Sequence, residues 1–371
     1  MIPQILKCIQ KQRKYGTIAG YELIDLNNNK ITIDRDNLKY AIVMKKVFVV
    51  NLKLTSDNKL IDYEYKIDNI IKYIKYYYKV IAFPNNSMVE CNLNFDSDEV
   101  SISKIVLKSN ELIIPDCITG VKYDLKIEQY AKIDKLRVVH KHNRMTSMRG
   151  LFHNLGVEEI DLSLFNTQGV KDFSQMFFLC KASRIIFGEH FDTSSAITLD
   201  SMFLSMTNIT ELNLRGFNVN NVKYMGSMFE DCTNIKSIDI TGWNTSRVIS
   251  MISMFNKCKN LIEIQGLSEL RADSLRDMSY MFSECEKLEF ISLRGMNTDK
   301  IRNMEFAFYK CTGLHGINLC NIKLRNDTML HAVAYKCCIE DKIIEQLRGG
   351  KNDSNKVHRQ DKKQEKRDNT L

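Results

Sequence analysis

A Met-Phe dipeptide returns along the second half of the chain at nearly constant spacing, and this recurrence restricts the possible folds more than any other feature. It stands at Met176-Phe177, Met202-Phe203, Met228-Phe229, Met254-Phe255 and Met281-Phe282, with Leu151-Phe152 and Ala307-Phe308 as degenerate copies at the ends. The steps are 25, 26, 26, 26, 27 and 26 residues. A unit of this size cannot bury an apolar face by itself and must stack on its neighbours, so about seven units in succession predict a solenoid over 145–325. The three prolines, at 3, 84 and 115, all lie outside it, as a ladder that uses every backbone amide requires.

Within a unit the apolar residues change period. Met225, Met228, Phe229 and Cys232 are three and four apart, which predicts one side of a short helical turn. Ile235, Ile238 and Ile240 follow; the alternation of the last two predicts a strand of three or four residues with aliphatics inward and a residue between them outward. Gly242-Trp243-Asn244-Thr245 then turns the chain, as do Leu164-Phe165-Asn166-Thr167, Gly216-Phe217-Asn218-Val219 and Gly295-Met296-Asn297-Thr298. These units resemble the 25–26-residue repeats of BspA-like leucine-rich-repeat proteins, with their M-x-x-M-F-x-x-C-x-x-L-x-x-I-x-L pattern. The resemblance implies an α/β, leucine-rich-repeat-like solenoid with a strand ladder, used for binding and usually carried on bacterial cell surfaces. The chain departs from the pattern at Gly266 to Leu270, where the second aliphatic of the strand is missing, and at Ser183.

Five of the eleven cysteines, Cys180, Cys232, Cys258, Cys285 and Cys311, occupy one position of the repeat, where Met206 also stands. Exchange of Cys for Met at an inward position reads as packing by soft apolar groups. A single line of thiols cannot close a tetrahedral metal site, so no metal is expected.

The N-terminal part reads as a small α+β module. Tyr21–Ile24 and Lys30–Ile33 alternate on either side of Asn27-Asn28-Asn29, a hairpin signal. Asp34 to Asn37 offers N-caps for a helix to about Lys46, and Val47–Leu54 with Leu60-Ile61 completes a ββαβ unit over 1–62. Gly20-Tyr21, Leu23, Asp25, Leu38, Ala41-Ile42 and Val49 to Asp57 carry a weaker resemblance to a small domain of bacterial mobile-element proteins. Residues 63–98 read as a helical or irregular connector. Ile67, Ile70, Ile71 and Ile74 would face inward, and Tyr73, Tyr76 and Tyr78 among lysines offer the alternative of a stacking surface for nucleic acid. Residues 99–144 read as degenerate strands that cap the first coil, 326–348 as a C-terminal helical cap, and 349–371 as a disordered basic tail.

Charge separates along the chain: residues 1–80 carry +7 and residues 351–371 carry +3 of the formal +8, which leaves −2 for the body between them. Phosphate binding rests on Lys and Arg, so nucleic acid is a possible but disfavoured partner; the alternative function is an accessory protein that holds nucleic acid through the basic N-terminal module and tail. No secretory apolar run or lipoprotein box is recognised at the N-terminus and no ~18-residue apolar run exists, so cytoplasmic placement without a membrane span is expected. Phosphate-loop, H-E-x-x-H, paired C-x-x-C and G-x-S-x-G motifs are absent; no catalytic residue, cofactor site or enzymatic activity is expected.

What remains is a binding scaffold with a protein partner. Stacked strands set equivalent outward residues ~4.8 Å apart in a row. One outward column reads Asp161, Phe187, Asn213, Asp239, Gln265, Ser292 and Asn318; the one beside it holds Glu159, Ile185, Glu211, Ser237, Glu263, Phe290 and Gly316. The candidate partner-binding strip drawn from them is Asp161, Ile185, Phe187, Glu211, Asn213, Asp239, Glu263, Gln265, Phe290, Ser292 and Asn318, with Ile185, Phe187 and Phe290 as apolar anchors among polar groups.

Overall fold

The computed structural model describes residues 18–24, 30–31, 48–54, 59–65, 78–83, 87–94, 99–114, 118–129, 132–319 and 324–347. Two compact units form: the first from Met1–Leu151, Gly156–Gly169 and Arg184–Phe191, the second from Phe152–Leu155, Val170–Ser183 and Asp192–Leu371.

The first unit contains two sheets. Strands β1 (Ile18–Ile24), β2 (Lys30–Ile31), β3 (Phe48–Leu54), β4 (Lys59–Tyr65), β5 (Tyr78–Phe83), β6 (Met88–Asn94), β7 (Glu99–Leu107) and β9 (Gly120–Gln129) make one, in the order β2-β1-β3-β4-β5-β6-β7-β9. Leu23 pairs with Ile31 across the Asn27–Asn29 segment, and Leu52 with Ile61. The sheet then runs past residue 62 without a break, because Tyr63 pairs with Val80 and Val80 with Cys91. The connector expected over 63–98 is therefore strand at β5 and β6; the helices expected at 34–46 and around Ile67–Ile74 lie outside the described residues. The second sheet is a parallel ladder of β8 (Glu111–Ile113), β10 (Lys135–His140), β11 (Glu159–Phe165) and β12 (Arg184–Phe187), so only β8 and β10 of the expected capping strands join the stack, while β7 and β9 belong to the first sheet.

The second unit is a stack of coils whose strands pair in parallel, a β-solenoid with little helix among the described residues. Each coil contributes one short strand: β13 (Glu211–Asn213), β14 (Ser237–Asp239) and β15 (Glu263–Gln265) in one sheet, β16 (Phe290–Ser292) and β17 (Gly316–Asn318) in another. The Met-x-x-Met-Phe-x-x-Cys stretch is not helical. In the coil from Met251 to Cys258 it makes two tight turns, with the Met254 amide donating to the Met251 carbonyl at 3.2 Å and the Cys258 amide to the Phe255 carbonyl at 3.1 Å. The third residue of each turn, Ser253 (φ 55) and Lys257 (φ 60), is left-handed. The amides of Met251, Ser253, Phe255 and Lys257 are thereby free to reach the next coil, where they donate to the carbonyls of Asp277, Ser279, Met281 and Ser283 at 2.8–3.0 Å. A helix and this double turn bring the same spacing of three and four to the inside, so apolar periodicity cannot separate them. A left-handed conformation costs a non-glycine residue ~1 kcal/mol, which the inter-coil bonds offset, since a buried amide left unpaired would cost as much or more.

Inward residues stack by type. Phe177, Phe203, Phe229, Phe255, Phe282 and Phe308 are fully buried, with successive ring centroids 5.3–5.8 Å apart and planes within 8° of parallel. The thiols of Cys232, Cys258, Cys285 and Cys311 donate to the carbonyls of Phe203, Phe229, Phe255 and Phe282, one coil back, at 3.0–3.1 Å. Burial pushes the Cys180 and Cys232 thiols up to about 12 and the Cys258, Cys285 and Cys311 thiols upward as well. Only the thiolate reacts readily. Native-state alkylation at pH 8, mapped by peptide mass spectrometry, should therefore spare these five and modify the exposed Cys338 within minutes, with all of them reacting in denaturant. Fast native modification of Cys232 or Cys258 would refute the buried ladder.

The expected C-terminal helical cap is helical only in its second half. Residues 329–336 form a further turn arc, since Met304, Phe306, Phe308 and Lys310 donate to the carbonyls of Met329, His331, Val333 and Tyr335. Cys337 thus extends the inward thiol position by one coil. Helix α1 (Glu340–Leu347) follows, with Ile343 and Leu347 buried. Its Gln346 side chain accepts the Leu319 amide at 3.1 Å, as the Gln265 carbonyl accepts that of Ile240 and the Asn318 carbonyl that of Leu293. The tail expected over 349–371 lies outside the described residues.

Candidate functional site

Across β13, β14 and β15 the register aligns Glu211, Ser237 and Glu263 in one outward column and Asn213, Asp239 and Gln265 in the other. Across β16 and β17 it aligns Phe290 with Gly316 and Ser292 with Asn318. Between these columns Leu212, Ile238, Ile264, Ile291 and Ile317 are buried. Phe290 is 58% exposed, and its ring lies where a side chain on Gly316 would go: a Cβ there would come within 2.7 Å of Phe290 Cδ2. The apolar anchor of this face therefore depends on a glycine in the next coil.

The second column also supports the turns that end the strands. The Asp239 carboxylate accepts the Thr241 amide at 2.9 Å, and Asn213 Oδ1 accepts the Arg215 amide at 3.2 Å. The hydroxyl and amide of Thr241, with Arg215 nearby, hold the Asp239 carboxyl below its usual range.

In the first unit the register differs from the sequence expectation. Ile185 pairs with Ile160 and Phe187 with Leu162, both inward partners, while Arg184 and Ile186 stand opposite Glu159 and Asp161. Ile185 and Phe187 therefore leave the outward columns; Phe187 packs on the buried Phe191 with ring centroids 4.8 Å apart. The cause is countable: the strand begins four residues after Leu155 and after Cys180, but five after Met206, Cys232, Cys258, Cys285 and Cys311. A shift of one residue exchanges the two faces of a strand. Asp161 does face outward, and here the polar groups neutralise one another: Arg137 meets Asp161 at 3.4 Å, and Lys135 and Arg184 flank Glu159 at 3.6 and 3.4 Å. Burial pushes the Asp161 carboxyl up, but the Ser163 hydroxyl and amide and the Arg137 guanidinium outweigh it and hold the group below its usual range.

Exposed apolar side chains also occur away from the two outward columns. Ile262 precedes β15, and Tyr224, Ile252 and Tyr280 lie on the turn arcs, all 38–51% exposed. Tyr280 stacks on Phe306 at 4.7 Å. Their signal in the sequence is an apolar residue at an otherwise polar slot of the arc, which a helical spacing of the same residues does not single out. Among the described residues no three His, Cys, Asp or Glu side chains converge as metal ligands, and no helix is long and apolar enough to cross a membrane.

The sequence model of the family described as "Mycoplasma protein of unknown function, DUF285" matches residues 146–261 and 231–338, together more than half of the chain. No curated protein and no solved structure matches it.

Proposed function

We propose that this chain, which belongs to the DUF285 family of Mycoplasma proteins, is a non-enzymatic scaffold of the BspA-like leucine-rich-repeat kind that binds a protein partner along the strand face of its second unit. The observation that carries the reading is Phe290, a largely exposed aromatic on the β16–β17 ladder beside the polar Ser292 and Asn318, with the polar outward residues Glu211, Asn213, Glu263 and Gln265 on the β13–β15 ladder of the same unit. An aromatic anchor ringed by adaptable polar groups is the usual make-up of a protein-recognition hot spot. Free, buried thiols along the core support a reducing, cytoplasmic setting.

The test is photo-crosslinking in the native host from a benzophenone residue introduced at Ser292. Wild-type chain should yield one dominant crosslinked protein, and Phe290→Ala should reduce it at least tenfold while leaving the denaturation midpoint unchanged. A crosslinking pattern identical in the two proteins would overturn the strand face as the site.

A further inference from the structure

One side of the second unit carries a column that the strand-face reading does not use. The Ile197 amide donates to the Lys171 carbonyl at 2.8 Å, and the same bond joins Lys223 to Ile197, Ile249 to Lys223, Arg276 to Ile249 and Arg302 to Arg276 at 2.8–2.9 Å. These bonds stack Lys171, Ile197, Lys223, Ile249, Arg276 and Arg302 directly above one another, one per coil. The four cations are exposed and the two isoleucines half-buried. Coils repeat at ~4.8 Å, so the charges stand at intervals of ~10, ~10 and ~5 Å along a line of ~24 Å.

The carboxylates near this line in sequence are oriented mainly by neutral hydrogen-bond donors, which leave their charge in place. Asp172 accepts the Ser174 amide, Asp277 accepts the amide and hydroxyl of Ser279 and the Asn303 side chain, and Asp273 accepts the Asn297 side chain. Asp327 is paired with Arg325 and also feels Arg302, while Asp299, three residues before Arg302, is exposed. Among the described residues none of the four column cations has a carboxylate within ion-pair distance, in contrast to Arg137 and Arg184 on the first unit, which do. Arg247 and Lys300, two residues before Ile249 and Arg302, add two further exposed cations. Lys171, Lys223, Arg247, Arg276, Lys300 and Arg302 outnumber Asp172, Asp273, Asp277 and Asp299, the carboxylates nearest them in sequence, so this flank keeps a net positive charge.

We propose that this column is a docking surface for an extended acidic protein segment, whose alternate residues present their carboxylates to the row of cations. Exposed cations without partners attract an anionic chain, and the aliphatics between them select its class. Ile197 and Ile249 offer packing to the methylene stems of the acidic side chains, whereas a single-stranded nucleic acid asks for aromatic platforms at those places, and among the described residues the one exposed aromatic next to the line in sequence is Tyr224. The surface is distinct from the Phe290 face, so the two readings stand or fall separately.

The experiment titrates the full-length chain against fluorescein-labelled twelve-residue peptides of alternating Glu-Val, Gln-Val and Lys-Val, and against a twelve-nucleotide oligothymidylate, followed by anisotropy at 50 and 300 mM salt. The Glu-Val peptide should bind at least tenfold more tightly than the other three and weaken as salt rises. The exposed double change Lys223→Glu with Arg276→Glu should abolish that preference, and Ile249→Ser should weaken binding severalfold, while Phe290→Ala leaves both unchanged. Equal binding of the Gln-Val peptide, or retention by the charge-reversed chain with an unchanged circular dichroism spectrum, overturns the proposal. So does tighter binding of the oligothymidylate, which would make nucleic acid the occupant.

Discussion

Phe229→Ala is expected to lower the free energy of unfolding by about 3–5 kcal/mol, read from urea denaturation, without changing the fold. Phe229 is fully buried and sandwiched between Phe203 at 5.6 Å and Phe255 at 5.3 Å, with planes within 8° of parallel on both sides. Truncation removes the transfer free energy of the ring and both stacking contacts, and leaves a cavity that stacked coils cannot close, because their separation is fixed by the four amide bonds on each side. Phe308 supplies the internal comparison. It stacks on Phe282, but the next coil puts Ala334 in its place, so Phe308→Ala loses one ring contact instead of two and should cost less. A loss under ~1 kcal/mol at Phe229 would show that the phenylalanine stack is not the core of the solenoid.

The second large effect belongs to a glycine. Gly266 follows β15 at φ 85, and a Cβ there would stand 2.6 Å from Cα and N of Thr241 and 2.8 Å from the Ile240 carbonyl carbon, all backbone of the neighbouring coil. Backbone cannot swing aside as a flexible side chain does. Gly266→Ala should therefore combine conformational strain with a forced separation of two coils and destabilise by about 2–4 kcal/mol. Gly242 has almost the same φ, 84, with no atom within 4 Å of the added Cβ. Gly242→Ala should show the strain alone, about 1 kcal/mol. The difference between the two mutants in thermal or urea unfolding measures the inter-coil contact; equal losses would mean that the coils adjust freely.

The same glycine explains a gap in the repeat pattern. Where other strands continue to a second inward aliphatic, Gly266 turns left-handed and a single 3-10 turn, Leu267–Glu269, delivers the buried Leu267 and Leu270 instead. An irregular stretch that looks like a fault in the sequence is a detour that still fills the core.

The sequence by itself determined the stacking architecture, the phenylalanine and cysteine columns, and the outward registry of Glu211 through Asn318. Each of these follows from which residues cannot remain in water and how often they return, and burial in a stack of identical coils is a one-dimensional pattern that spacing records. Three things were decided only by the tertiary structure. The left-handed turns at Ser227, Ser253 and their equivalents arise because amides must reach the next coil, so the sign of φ is set by a partner ~26 residues away and not by local preference. The face presented by Ile185 and Phe187 depends on a one-residue difference in the length of the link before β12, which changes no apolar residue and yet exchanges inside for outside. The basic column is written in the sequence as six unremarkable residues at intervals of 26 or 27; they become one surface only when backbone hydrogen bonds fix which residue of each coil lies over which.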